Sequence, residues 1–159
     1  MKIHKLESTD AFVAFDLPDA DHSVGIVRCA RKILQGGAGD LARSTTYAAA
    51  AFGRKIGGAS AGINSQGDDR PAALAAFIEE VTPMVADGRF LVDAGKGVGA
   101  DELAALTAAD PRDARRTSPT LLGAGVVAAA GAALGGDLSG RTAAIEGLDR
   151  SSLGVVEAL

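Results

Sequence analysis

The segment GASAG, residues 58–62, spells G-x-S-x-G, the pattern of a turn that presents the nucleophilic serine of a hydrolase. That chemistry requires Ser60 at a sharp turn from a strand into a helix, and a histidine later in the chain to take its proton. The order predicted around Ser60 is instead helix, turn and strand, and both histidines, His4 and His22, come earlier. The sequence therefore argues against a serine hydrolase, and we attribute the glycines to a helix end and to close packing.

Asp93 is the second candidate for chemistry, because it follows an apolar run in the segment RFLVDAG, residues 89–95. A carboxylate at the end of a buried strand can act as an acid or base in a cleft. It can equally cap the following turn, and the sequence leaves both interpretations open. His4 and His22 have no carboxylate or thiol partner at ligand spacing, so no metal site is predicted.

The elements that must position these residues alternate between helix and strand. Strands are predicted at 11–17, 23–33, 59–64, 89–95 and 142–147. Helices are predicted at 41–55, with Asp40 as its cap, and at 72–88, 100–110, 121–134 and from 151 onward. The turn PDAD, residues 18–21, favours an antiparallel pairing of the first two strands. The alternation predicts the α/β fold class, with a sheet covered by helices on both faces.

Composition limits the classes of function. The 159 residues are enough for about one domain, and the net charge of −4 with interspersed signs offers no basic face for nucleic acid. The single Cys29 cannot form an internal disulfide and the start MKIHKLESTD has no apolar run, so we expect a cytoplasmic protein. The most apolar segment, residues 121–134, is too short to span a membrane, and no membrane partner is predicted.

Four segments resemble one family, the glutamate, leucine, phenylalanine and valine dehydrogenases. LARSTTYAAAAFGRKIGGASAGIN resembles the family's L-A-x-x-M-T-Y-K-N-A followed by G-G-G/A-K, and VDAGKGVGADELAAL resembles its acidic loop. TSPTLLGAGVVAAAGAAL resembles its interdomain helix, and DLSGRTAAIEGLDRSSLGVVEAL the opening of its nucleotide domain. The resemblance implies a dimerisation and substrate domain over residues 1–112. It also implies that residues 113–159 form the interdomain helix and the first strand and helix of a truncated Rossmann-like domain.

The resemblance implies a substrate cleft lined by Tyr47, Ala48, Gly58 and Ser60. The family has two lysines at the substrate, one for its carboxylate and one for the chemistry, and Ala48 and Ser60 stand in their places at the same twelve-residue spacing. Alanine carries neither charge nor proton, and a serine hydroxyl cannot act as a tuned amine. Tyr47 would face the cleft by analogy, although a tyrosine in a helix most often packs in a core.

Two further correspondences stay open. The catalytic aspartate of the family corresponds to Asp93 if the strand is aligned, and to Gly95 if the following GVGADEL is aligned. A glycine pair written G-G-x-R in the family is matched either by Gly36 and Gly37 without the arginine, or by Gly25 with Arg28. The first of these fits the predicted strand order better.

The nucleotide end departs most from the family. A dinucleotide fingerprint needs three glycines, and only Gly147 corresponds to one of them. Asp149 would place a negative charge against a pyrophosphate. We therefore expect no cofactor on this chain alone, with NAD(P) bound only where a partner chain completes the nucleotide domain.

The leading hypothesis is a diverged amino-acid-dehydrogenase-like subunit, a pseudoenzyme on its own. It would act in a homo-oligomer or hetero-oligomer, or with a separate Rossmann-domain polypeptide that supplies the oxidoreductase cofactor fold. The alternative is a cofactor-independent enzyme acting on a small amino or organic acid, with Asp93 as acid or base and with Ser60 and Tyr47 as hydrogen-bonding groups. A third interpretation is that a longer protein follows Leu159.

Overall fold

The computed structural model describes residues 1–112, 119–147 and 150–159, and the chain divides into two compact units, Met1–Pro111 and Arg112–Leu159. The first unit is a five-stranded sheet with helices on both faces, so the predicted α/β fold class is confirmed. Its elements are β1 (Lys2–Lys5), β2 (Ala11–Phe15), β3 (Ser23–Ala30), α1 (Gln35–Ala51), β4 (Gly57–Asn64), a 3₁₀ turn (Gly67–Asp69), α2 (Arg70–Ala86), β5 (Phe90–Ala94), a second 3₁₀ turn (Asp101–Leu103) and α3 (Ala104–Ala109).

The strand order is β1-β2-β4-β3-β5, with β4 at the centre. β4 is antiparallel to β2 and parallel to β3, and β3 is parallel to β5. The antiparallel pairing predicted for the strands at 11–17 and 23–33, which are β2 and β3 in the structure, is therefore wrong, because β4 lies between them. Their connection crosses the start of β4: the Asp16 amide donates to the Gly58 carbonyl at 3.0 Å, and the Gly57 amide donates to the His22 carbonyl at 2.9 Å.

The sheet has one strongly apolar face. Alternate residues of β2, β3, β4 and β5 point to it and pack against α2 and α3, as expected for strands half-buried on a core. The largest fully buried side chains of this core are Phe77, Phe90, Ile63, Leu106, Val13, Val27, Val81 and Val85. The opposite face carries the other set of alternating residues, and α1 packs there.

Helix α1 lies very close to β4. Its buried stripe has the i, i+4 spacing of one helix face and contains only small residues, namely Ala38, Gly39, Ala42 and Thr46. A Cβ atom on Gly58 of β4 would overlap the carbonyl oxygen of Ala42. The absence of a side chain at Gly58 is what allows the helix backbone to approach the strand.

The start of α1 differs from the prediction. Asp40 was expected to cap the helix, but the helix begins at Gln35, five residues earlier. Ala38 in its first turn is fully buried against Phe12 and Ala14 of β2. This packing outweighs the low helix propensity of the glycines that precede it.

The second unit contains α4 (Pro119–Ala133) and α5 (Arg150–Ala158). The two helices pack closely, since a Cβ atom on Gly123 would overlap the carbonyl oxygen of Gly154. The predicted strand at residues 142–147 is wrong, because this segment has no regular secondary structure. A strand needs a neighbour to pair its backbone, and the described part of this unit offers only helices. No helix among the described residues is long and apolar enough to cross a bilayer.

Candidate functional site

Ser60 and Asp93 lie on the same face of the sheet, the one that carries α1. In the strand register Ser60 of β4 is opposite Ile26 of β3, and Ile26 is opposite Asp93 of β5. Strands lie about 4.8 Å apart, so the two Cα atoms are roughly 10 Å from each other. The topology thus brings two of the sequence-predicted site residues into one row across three strands.

Ser60 occupies the interior of β4 and its side chain is 0% exposed. A hydrolase serine has to project from a turn into a cleft, so this position agrees with the sequence argument against a nucleophile. The hydroxyl oxygen accepts a hydrogen bond from Nη2 of Arg28 at 3.3 Å. Ser60 is therefore a buried polar group held by a cation.

Arg28 is the residue of this site that the favoured sequence alignment missed. Of the two matches to the family's glycine pair, Gly36 and Gly37 lie exposed in the first turn of α1. The other match, Gly25 with Arg28, lies on β3 and places the guanidinium beside Ser60. The signal in the sequence was one arginine within the apolar alternation SVGIVRCA.

Arg28 has few hydrogen-bond partners. The residue is half-buried, and its Nε atom is buried with no hydrogen-bond partner. Burial lowers the pKa of the Arg28 guanidinium from its usual value, although an arginine stays protonated at any physiological pH. The ion pairs of Arg43 with Asp16 and of Arg70 with Glu102 do not include Arg28.

Glycines flank the stem of Arg28 on both neighbouring strands. Gly62 of β4 is its register partner, and Gly95 follows β5 on the other side. The Gly95 amide donates to the Val27 carbonyl at 2.9 Å, and a Cβ atom at Gly95 would lie 3.1 Å from Cγ of Arg28. Gly95 therefore leaves room for the long side chain, whereas the space over Gly62 is filled by Ile33 and Phe12.

Asp93 is half-buried near the end of β5. Its register with Ile26 places it on the face that carries α1, diagonal to Arg28. Asp93 and Gly95, the two candidates for the family's aspartate, are two residues apart at the end of this strand. Both therefore lie beside Arg28, whichever alignment is used.

Tyr47 and Ala48 lie away from this row. Both are on α1 but off its buried stripe, and Tyr47 is 68% exposed. Neither the core position considered for Tyr47 nor a contact with Ser60 is present. Gly58, the remaining cleft residue of the prediction, lies under α1 and donates its amide to the Thr46 hydroxyl at 2.8 Å.

The loop after β5 is held by an ion pair. Arg70, at the start of α2, donates to both carboxylate oxygens of Glu102 and to the Gly97 carbonyl, each at 2.7 Å. Glu102 also accepts from the Gly99 amide at 2.7 Å. The hydrogen bonds from Arg70, and then that from Gly99, lower the pKa of Glu102 to about 2. The Gly99 amide is thus engaged within the loop.

A cavity of about 320 Å³ opens at the other end of β4, before Gly57. Charged side chains of both signs line it: Asp19, Asp21, Arg54 and Lys55. Arg54 and Lys55 lie between Ala48 and Ser60 in sequence, yet they line this cavity and not the row of Ser60 and Asp93. The described residues contain no cluster of histidine, cysteine and carboxylate side chains that could hold a metal ion.

Solved structures of amino-acid dehydrogenases share this fold. A hetero-hexameric glutamate dehydrogenase from Thermus thermophilus, in its leucine-bound form, matches 93% of this chain and 42% of its own, with 17% identity and a TM-score of 0.64. An L-tryptophan dehydrogenase from Nostoc punctiforme matches 99% of this chain and 48% of its own, with 18% identity and a TM-score of 0.60. A glutamate dehydrogenase from Peptoniphilus asaccharolyticus matches 92% and 44%, with 13% identity and a TM-score of 0.65.

No family model matches the sequence, and no curated protein does. The chain spans less than half the length of each of these three structures. The predicted amino-acid-dehydrogenase-like fold is confirmed, and identities of 13 to 18% carry the likeness no further than the fold.

Proposed function

We propose that this chain is a diverged amino-acid-dehydrogenase-like subunit that has no NAD-dependent activity of its own and works in an oligomer. In this proposal a partner chain supplies the fold that binds NAD(P). The observation that carries it is the pair Ala48 and Ser60, which stand where the family has its two substrate lysines. Neither side chain can hold a substrate carboxylate by charge or deliver a proton as a tuned amine.

The surroundings of Ser60 support this proposal. A lysine at position 60 would carry its amine toward the Arg28 guanidinium, which already contacts the Ser60 hydroxyl at 3.3 Å. Two cations at that distance in a buried place repel strongly. A serine at position 60 can accept a hydrogen bond from Arg28, whereas a lysine there would repel it. The serine therefore fits the surroundings of position 60.

Assembly with other chains is proposed from the likeness in fold. The glutamate dehydrogenase from Thermus thermophilus is a hetero-hexamer by its description, and this supports the proposal of an assembly with unlike subunits. In the present chain only Gly147 corresponds to a glycine of the dinucleotide fingerprint. A partner that carries the missing fingerprint would supply the nucleotide site.

The experiment is native mass spectrometry of the protein purified from its own cells with its associated chains intact. We expect a second polypeptide in fixed ratio, and NADH binding by the complex but not by the separated chain. Isothermal titration of the isolated chain is the companion measurement. Low-micromolar NADH binding there, or amino-acid oxidation by the single chain, would contradict the proposal.

A second candidate function is a cofactor-independent enzyme that acts on a small amino or organic acid. The row that places Asp93 level with Ser60 favours it, since a half-buried carboxylate can act as acid or base. Asp93→Asn keeps the shape of the side chain and removes its proton chemistry. An activity or ligand response that is unchanged in this variant would remove the candidate.

A further inference from the structure

Arg28 is the most unusual polar side chain of the first unit. It stands on the second strand from the sheet edge, among the half-buried residues Val24 and Ile26 of the same face. Its guanidinium donates a long hydrogen bond of 3.3 Å to the neutral hydroxyl of Ser60. Nearly every buried donor in a folded protein has a partner, yet the Nε–H of Arg28 has none.

A guanidinium offers its donors in pairs. Nε and one Nη lie side by side and match the two oxygens of a carboxylate, which gives two parallel charge-assisted hydrogen bonds. In Arg28 only one donor of this pair makes a hydrogen bond, because Nη2 donates weakly to Ser60 and Nε has no acceptor. The half-buried setting also lowers the competition from water, which strengthens an anion contact.

From these observations we infer that Arg28 is a receptor for the carboxylate of a small organic ligand, with Ser60 holding the guanidinium in place. The side chain reaches the ligand by a small rotation that exchanges the Ser60 contact for two carboxylate contacts. The absence of a side chain at Gly95 leaves space for this rotation on the β5 side of the stem, whereas Ile33 and Phe12 fill the space over Gly62 on the β4 side. The inference rests on the proposed function in one respect, since both place the ligand on the face of the sheet that carries α1.

Selectivity follows from the same geometry. A carboxylate accepts two hydrogen bonds and neutralises the charge, whereas the amide of the same shape offers one acceptor oxygen and presents an NH₂ group to a donor. Acetate and pyruvate should therefore bind, and acetamide and pyruvamide should not. Charge-assisted contacts of this kind correspond to roughly tenfold or more in affinity.

The direct test is NMR of the whole chain labelled with ¹⁵N at arginine Nε, with Arg28→Lys to assign the signal. We expect the Nε–H resonance of Arg28 to move as acetate is added, and to stay in place with acetamide or with sodium chloride at equal ionic strength. An Nε–H resonance that does not respond to acetate would overturn the inference. A response of equal size to acetamide would overturn it as well.

The affinity test compares matched variants by titration with pyruvate. Arg28→Met removes the guanidinium and keeps an unbranched apolar stem, and we expect a loss of roughly tenfold or more in affinity. Arg31→Met is the control, since Arg31 is an exposed arginine just beyond the same strand, and it should bind as the original chain does. Equal affinity of Arg28→Met and the original chain would overturn the inference.

If Arg28→Met does not fold, Arg28→Lys answers the question. It keeps a positive charge but offers no paired donors, so we expect weaker pyruvate binding than in the original chain, and unchanged binding would count against the inference. These measurements need neither NADH nor a partner chain. Failure to bind carboxylates is therefore distinguishable from failure of the proposed assembly.

Discussion

The hydroxyl of Thr46 accepts a hydrogen bond of 2.8 Å from the backbone amide of Gly58, and this bond joins α1 to the central strand. The same hydroxyl donates to the Ala42 carbonyl at 3.3 Å. Thr46 and Gly58 are twelve residues apart, the same separation as Ala48 and Ser60. The bond therefore fixes the register between the helix that carries Ala48 and the strand that carries Ser60, the two positions that the sequence resemblance aligns with the family's lysines.

Thr46→Val tests the contribution of this bond. The variant keeps the volume of the side chain but leaves the buried Gly58 amide without an acceptor, which we expect to cost about 1–3 kcal/mol. Thr46→Ser is the matched control, because it retains the hydroxyl and loses only a methyl group. Urea unfolding of the three chains gives the free energies. A Thr46→Val chain as stable as Thr46→Ser would show that the bond contributes little.

Gly58→Ala tests the close approach of α1 to β4. The added methyl group overlaps the Ala42 carbonyl oxygen, which belongs to the backbone and cannot move without shifting the helix. We expect a loss of about 1–3 kcal/mol or more in unfolding free energy. Gly36→Ala is the counterpart in open space, where a Cβ atom meets nothing within 4 Å and a helical alanine should stabilise by about 0.5–1 kcal/mol. The melting temperatures of Gly58→Ala and Gly36→Ala should shift in opposite directions from that of the original chain. Shifts in the same direction would contradict this account.

The sequence predicts elements better than it predicts their partners. The apolar spacing of Leu74, Phe77, Ile78 and Val81 predicts α2. The helix buries Leu74, Phe77 and Val81, and Ile78 is half-buried. The PDAD turn looked like a hairpin because two strands flank it, and nothing local reveals that β4, some thirty residues later in the chain, is inserted between them. Strand pairing is decided by contacts distant in sequence, which a local pattern does not encode.

The candidate site was predictable in part for the same reason. Ser60 and Asp93 were chosen from the sequence, and the register places them in one row through Ile26. Arg28 was one of two open alternatives, and the expected strand order favoured the other. Once β3 lies next to β4, Arg28 necessarily reaches the face that carries Ser60, so the error in pairing and the error at the site have one cause.

The ion pair between Arg70 and Glu102 predicts a pH dependence. The pKa of Glu102 is lowered from 4.5 to about 2 in the folded chain, so the unfolded chain binds the extra proton first as the pH falls. The stabilisation is fully present above pH 4.5 and is lost as the pH falls toward 2. Glu102→Gln lacks this contribution at every pH.

We therefore expect the difference in unfolding free energy between the original chain and Glu102→Gln to shrink as the pH falls through this window. Urea unfolding at several pH values between neutral pH and the lower end measures it. Glu79→Gln is the control, because Glu79 is an exposed carboxylate on α2. A difference that stays constant with pH would contradict the assignment.

A lysine at position 60 should be incompatible with Arg28. Ser60 is 0% exposed and its hydroxyl contacts the guanidinium, so Ser60→Lys buries a second positive charge beside the first. Ser60→Met has the same length without the charge and accounts for the effect of volume. We expect Ser60→Lys to be less stable than Ser60→Met by roughly 3–5 kcal/mol, the cost of an uncompensated buried charge.

Combining these variants with Arg28→Met isolates the repulsion. Without the guanidinium, the difference between Ser60→Lys and Ser60→Met should fall by about 0.5–3 kcal/mol, the range of coupling between contacting residues. The guanidinium lowers the pKa of the introduced amine, so the penalty should also decrease as the pH rises and the amine loses its proton. Urea unfolding of the four chains at two pH values measures both effects. A penalty that is independent of Arg28 would mean that the two side chains do not interact, and that Arg28 does not explain the serine that the sequence resemblance aligns with a lysine of the family.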